Sequence, residues 1–178
     1  VFADGICLER AWGGRFENVA VMAVIGVNDH GCREAIGGGE GLAEAAECRR
    51  EFLSWARARG LHGVRTLTGD KGAAMAEVLP GVAHQRRAVR FCRSALSRVP
   101  RSKRGQVAAM LKAIHAQESS DASMEKAAAV ASKLDRMSPA AAAKCVRDGI
   151  AETLTYTRFP MGHWRRIRTN NAIERLNR

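Results

Sequence analysis

The chain has 178 residues, 46% of them apolar and 26% charged, with five cysteines and a formal net charge of +11. That length allows one domain with a sizeable core and a helical appendage. No apolar run approaches the roughly 18 residues of a membrane span, no basic-then-apolar leader opens the chain, and scattered cysteines without a CxxC pair signal neither a disulfide framework nor a zinc site. A membrane protein and a disulfide-stapled secreted domain are thereby excluded as expectations. An intracellular globular protein remains, and the opening "VFADG", without an initiator Met, reads as an excised fragment.

The first part reads as strands. In "VFADGICLER" Phe2, Asp4, Ile6 and Leu8 alternate with their neighbours, "NVAVMAVIGV" is an apolar run suited to a buried strand, and "REAIGG" follows across the turn Asn28-Asp29-His30-Gly31. Three antiparallel strands in a meander are the economical arrangement. "EAAECRREFLSWARARG" then places Ala45, Cys48, Phe52, Trp55 and Ala56 on one helical face and stops at Gly60. Val64 to Thr68 reads as a short strand, and strand, helix, strand makes it a parallel partner for the first strand. The expected fold class is α/β, a mixed sheet with helices.

After Pro80 the pattern turns helical. Val89, Cys92, Leu96 and Val99 keep a helical period, then Val107, Met110, Leu111 and Ile114, then Ala127, Ala131, Leu134 and Met137. A last long helix has Ser138 as N-cap, Pro139 at its first position, and Ala142, Cys145, Val146, Ile150 and Leu154 as its buried stripe. These divisions predict a core over 1–90, an all-helical insertion over 91–163 and a return segment over 164–178.

Charge is unevenly distributed. Residues 1–77 carry 9 basic and 11 acidic side chains, whereas 78–178 carry 20 and 7. Between Val78 and Gln117 there is no acid, and that stretch holds Arg86, Arg87 and Arg90 among its nine basic residues. Such segments attract polyanions, nucleic acid first, because neutralised phosphates release counterions; a solvated helix surface is the bland alternative.

Three carboxylates lie where chemistry can use them: Asp4 within the first strand, Asp70 just past the fourth, and Glu174 in the closing "RTNNAIERLNR". Ends of neighbouring strands are where sites collect in α/β sheets. Converging carboxylates there would bind two divalent cations about 4 Å apart for phosphodiester chemistry. Each acid also has a structural reading. Asp70 can shape a turn, Asp4 can pair with a basic residue, and Asn171 with Glu174 fits a capping box. His84 and His115 have no ligand-spaced partner and receive no role.

From "ADGICLER" and "FENVAVMAVIGVN" through "TGDK" and "AAMLKAIHAQES" to "AETLTYTRFPMGHWRRIRTNNAIERLNR", the whole chain resembles the Mutator-type bacterial insertion-sequence transposases. The resemblance implies an RNase H-like core interrupted by a helical insertion, and an Asp-Asp-Glu triad with Mg2+ or Mn2+. On this chain the triad is Asp4, Asp70 and Glu174, catalytic and metal-binding. Lys71, Arg165, Arg166 and Arg168 become phosphate contacts beside Arg86, Arg87 and Arg90. DNA, as element ends and target, is the implied partner, with homo-oligomerisation at full length. The implied location is the bacterial cytoplasm, at the nucleoid.

The chain departs from the family pattern in three places. Where the family has Gln-Arg-Cys-x-x-His, this chain runs Gln85 to Arg90 with Arg87 and Arg90 in place of Cys and His. The interval from Asp70 to Pro80 is about one helical turn short. Family members also extend on both sides, so the expectation is a truncated fragment with weak or absent catalysis. Two rival readings accompany the transposase: a remnant that only binds DNA through its basic half, and an unrelated RNase H-like nuclease.

Overall fold

Strands β1 (Phe2–Trp12) and β2 (Arg15–Val27) form one long antiparallel hairpin, with Trp12 opposite Arg15. Gly13 and Gly14, at φ +58 and +76, close it as the two-residue turn that matches strand twist and that residues bearing a Cβ enter only with strain. The computed structural model describes residues 1–40, 46–69, 77–137, 140–169 and 173. It divides into two compact units, Val1–His84 with Asn170–Arg178, and Gln85–Thr169.

In the first unit β3 (Arg33–Glu40) pairs antiparallel with β2, completing the expected meander. Val24 faces Gly37 while Ile25 faces Ala35, so Ile36 is the extra residue of a bulge. A Cβ at Gly37, φ +154, would come within 3.4 Å of the Phe52 ring, so the glycine lets the helix settle on the sheet. That helix, α1 (Ala46–Ala58), buries Phe52, Leu53 and Ala56 against Ala3, Met22, Val24, Leu67 and Leu79. It ends in a Schellman arrangement, Gly60 N–H donating to Arg57 O (3.0 Å) and Leu61 N–H to Ala56 O (3.0 Å). Trp55, assigned by its spacing to the buried face, is 45% exposed and lies beside Phe52 and under the Arg59 guanidinium. Expected positions Ala45, Ser138 and Pro139 lie outside the described residues.

Strand β4 (Thr66–Gly69) runs parallel to β1 with Thr68 opposite Phe2, as the strand-helix-strand order predicts. A fifth strand, β5 (Ala83–Arg86), completes the order β3-β2-β1-β4-β5. Nothing in the polar "AHQR" signals a strand. Side chains help hold it, Thr66 Oγ1 donating to Ala83 O at 3.0 Å.

The second unit is helical: α2 (Ala88–Leu96), α3 (Arg104–Ile114), α4 (Ser120–Arg136), α5 (Ala140–Thr153) and the short α6 (Met161–Ile167), with 3-10 turns at Arg101–Lys103 and Thr155–Arg158. Its core joins Phe91 and Ala95 of α2 to Val107, Leu111 and Ile114 of α3, Ala127, Ala131 and Leu134 of α4, and Ala142, Val146 and Ile150 of α5. Three helices bury the stripes their spacing predicts, apart from half-buried positions at Met110, Met137 and Cys145. In α2 the phase differs by one residue, about 100° of helix: Val89 is 54% exposed and Phe91 fully buried. The aromatic ring fills the space over Gly149 of α5, where an added Cβ would stand 3.0 Å from it. Among the described residues Ser119 caps α4, its Oγ accepting from Ala122 N–H at 3.1 Å.

Gln85 is fully buried and unites three backbone segments of this unit. Its Nε2 donates to Arg86 O (2.6 Å) and Thr153 O (2.9 Å), and its Oε1 accepts from Tyr156 N–H (2.7 Å). One amide thus satisfies the end of α5 and the start of the turn that follows it. Gln85→Leu leaves Thr153 O and Tyr156 N–H buried without that partner, and urea denaturation should register a loss of about 2–4 kcal/mol. A loss below about 0.5 kcal/mol would contradict the role.

Candidate functional site

Side chains alternate along β1, so consecutive residues serve opposite faces of the sheet. Ala3 joins the core beneath α1, while Phe2 packs on the other face with Ile25 of β2 and the fully buried Ile173. Asp4 shares Phe2's face by period. It is half-buried and stands opposite Ala23, which packs beside the Phe2, Ile25 and Ile173 group. The expected carboxylate therefore sits on the sheet face turned away from α1, alongside the face that receives Ile173. Asp70, Lys71 and Glu174 lie outside the described residues. Ile173 went unnoticed in the sequence, where the charged letters around it drew attention, yet it is the apolar anchor beside the last of the three acids.

The predicted phosphate contacts divide into two kinds. Arg165 and Arg166 are exposed on α6, and Arg90 is exposed on α2 with Arg87 half-buried just before it. Arg86 and Arg168 are instead built into the helical unit. The Arg86 guanidinium lies 5.4 Å from the Phe91 ring centroid, approaches Glu152 at 3.9 Å and passes over Gly149, whose missing side chain makes the room. Arg168 donates to His115 O at 3.2 Å.

His115 closes α3 against a small aromatic group. Its Nδ1 lies 3.5 Å from the Tyr156 hydroxyl, Tyr156 meets Trp164 edge-on at 5.4 Å between centroids, and Trp164 Nε1–H donates to Phe159 O at 2.6 Å. Trp164 thus packs half-buried within this group. Burial, helped by the Arg168 charge, lowers the His115 pKa from 6.5 to about 4. Burial pushes the Tyr156 phenol up, against the pull of Arg168.

The chain belongs to the Mutator family of transposases: the family model described as "Transposase, Mutator family" matches residues 1–178. It is 31% identical over 180 residues to the transposase for insertion sequence element IS1081 of Mycobacterium tuberculosis, covering 99% of this chain and 43% of that protein. It is 30% identical over 162 residues to the transposase for ISRM5 of Rhizobium meliloti, covering 89% and 40%, and 33% identical over 171 residues to that for IS406 of Burkholderia multivorans, covering 93% and 44%. The chain spans less than half the length of each of these relatives. No helix among the described residues is long and apolar enough to cross a membrane.

The His115 environment has a measurable consequence. The folded chain keeps the ring neutral down to about pH 4, whereas the unfolded chain protonates it near 6.5. Between those values the unfolded state binds more protons, so stability is fully present above 6.5 and falls as the pH drops toward 4. With the ring only partly buried, the loss should be about 2 kcal/mol. Thermal melts at stepped pH should show it, and His115→Gln should flatten the slope; an equal slope in the variant would place the titration elsewhere.

Proposed function

We propose that this chain carries the catalytic core of an insertion-sequence transposase, which cleaves DNA at the ends of the element and joins the freed 3′-hydroxyl to target phosphodiesters. The observation that carries the reading is the seat of Ile173 on the sheet face that Asp4 shares. The next residue is Glu174. Strands β1 and β4 are parallel with Phe2 opposite Thr68, and in the sequence Asp4 and Asp70 each follow two positions later. The mixed strand order, an antiparallel meander with one parallel neighbour, supports an RNase H-like core. The predicted division into core, helical insertion and return segment belongs to the same proposal.

Three carboxylates are hard oxygen donors, the set that Mg2+ and Mn2+ prefer. Asp4, Asp70 and Glu174 would hold the metal. When bound, it supplies charge that activates an attacking oxygen and steadies the leaving one. The protein's part is placement. Strand pairing fixes the Asp4 backbone, and Ile173 packs with Phe2 and Ile25 on the same sheet face. Arg86, Arg87, Arg90, Arg165, Arg166 and Arg168, with Lys71 next to Asp70 in the sequence, would bind phosphates. The full-length protein would act as a homo-oligomer on DNA in the bacterial cytoplasm, at the nucleoid.

Arg87 and Arg90 in place of the family's Cys and His favour one second reading, a chain that binds DNA without cutting it. Strand transfer on element-end DNA with Mg2+ or Mn2+ separates the two, using this chain and a version extended at both ends to the length of its relatives. Asp4→Asn and Asp70→Ala should each lower the rate at least ~100-fold, about 2.7 kcal/mol of barrier. Activity unchanged by either substitution would refute the triad, and DNA binding without cleavage in both versions would favour the second reading.

Binding itself has a signature. Replacing Arg165 and Arg166 together by Ala should weaken affinity across sequences and reduce the salt slope of log K by about 2, roughly one unit per phosphate contact. A slope that does not change would remove α6 from the DNA interface.

A further inference from the structure

We propose that His84 is a positioning residue for Asp70, acting through the carbonyl of Gly69. The inference rests on the reading of Asp70 as a metal-binding carboxylate and adds a residue to that site. His84 lies in β5, and its Nε2 stands 3.1 Å from Gly69 O, at the last residue of β4. A carbonyl oxygen only accepts, so Nε2 carries the proton and donates.

The contact falls where the backbone needs it. Strand β4 has four residues, Thr66–Gly69. Its upstream part is held on both sides: Val1 N donates to Thr66 O at 2.8 Å, Thr68 N–H donates to Val1 O at 2.9 Å, and on the β5 side Thr66 Oγ1 reaches Ala83 O and Ala83 N–H reaches Arg65 O at 3.3 Å. At the downstream end stands a glycine, the residue with the widest backbone freedom. Gly69 O belongs to the planar peptide group that leads into residue 70, so an imidazole held on that oxygen restrains the peptide plane. A metal ligand must be held within about half an ångström, which a four-residue strand ending in glycine does not ensure by itself.

The test compares His84→Ala with His84→Gln, whose side-chain amide can reach the same carbonyl as a donor, and uses Asp70→Ala as reference. Without metal, hydrogen exchange at the amides of β4 and residue 70 should rise about tenfold in His84→Ala, the worth of one hydrogen bond, and return toward the parent rate in His84→Gln. Mn2+ affinity measured by calorimetry should fall about tenfold in His84→Ala and recover in His84→Gln. Exchange unchanged in His84→Ala overturns the proposal whatever the metal result. Mn2+ affinity lost in Asp70→Ala but intact in His84→Ala overturns it while the triad stands. Affinity intact in Asp70→Ala removes the carboxylate reading itself, and with it the function proposed for His84.

Discussion

Strand β1 is covered on both faces at its start, and the candidate site depends on that double burial. Ala3 is 5% exposed beneath α1 and Phe2 is 9% exposed on the opposite face, so the strand has no freedom to slip. A shift of one residue would send Phe2 into the α1 core and turn Asp4 toward it. Burying an unpaired carboxylate in that apolar layer would cost several kcal/mol. The hairpin turn at Gly13 and Gly14 and the parallel pairing of Phe2 with Thr68 lock the same register from two more directions. Strand pairing and the packing of its neighbours Phe2 and Ala3 thus fix the backbone position of Asp4.

The helical unit follows a different economy. Its core interleaves buried alanines (Ala95, Ala127, Ala131, Ala142, Ala143) with large side chains such as Leu111, Ile114 and Leu134. Phe91 lies against Gly149, and Tyr156 stands between His115 and Trp164. Gln85 then supplies the hydrogen bonds that the end of α5 and the following turn cannot make internally. The seven-residue α6 is too short to persist alone, and the Trp164 and Arg168 contacts hold it in the unit with Arg165 and Arg166 exposed.

Elements whose burial follows a simple period were legible in the sequence. The meander, α1, the parallel strand after it and the stripes of α3, α4 and α5 all follow from apolar spacing. Features decided by a single partner were not. The one-residue phase difference in α2 comes from Phe91 finding Gly149, a contact between residues 58 positions apart. Trp55 shares the Phe52 face and lies near Gly37 of β3, yet it stays 45% exposed at the margin of the stripe with Arg59 over its ring. Strand β5 has no apolar alternation, being held by its ladder and by side-chain bonds. At the candidate site, the strand position of Asp4 was legible, but the packing of Ile173 and the His84 contact were not. One needed the sheet face it packs on, the other the carbonyl across the strand gap.

The central claim is that Asp4 and Ile173 mark one metal-binding face. Paramagnetic broadening by Mn2+, followed residue by residue in amide NMR spectra, tests it most directly. Broadening should begin at Asp4, Ala23 and Ile173, spare Ala3 and Leu53 at low Mn2+, and be lost in Asp4→Asn. Broadening centred away from that face, or unchanged in Asp4→Asn, would contradict it.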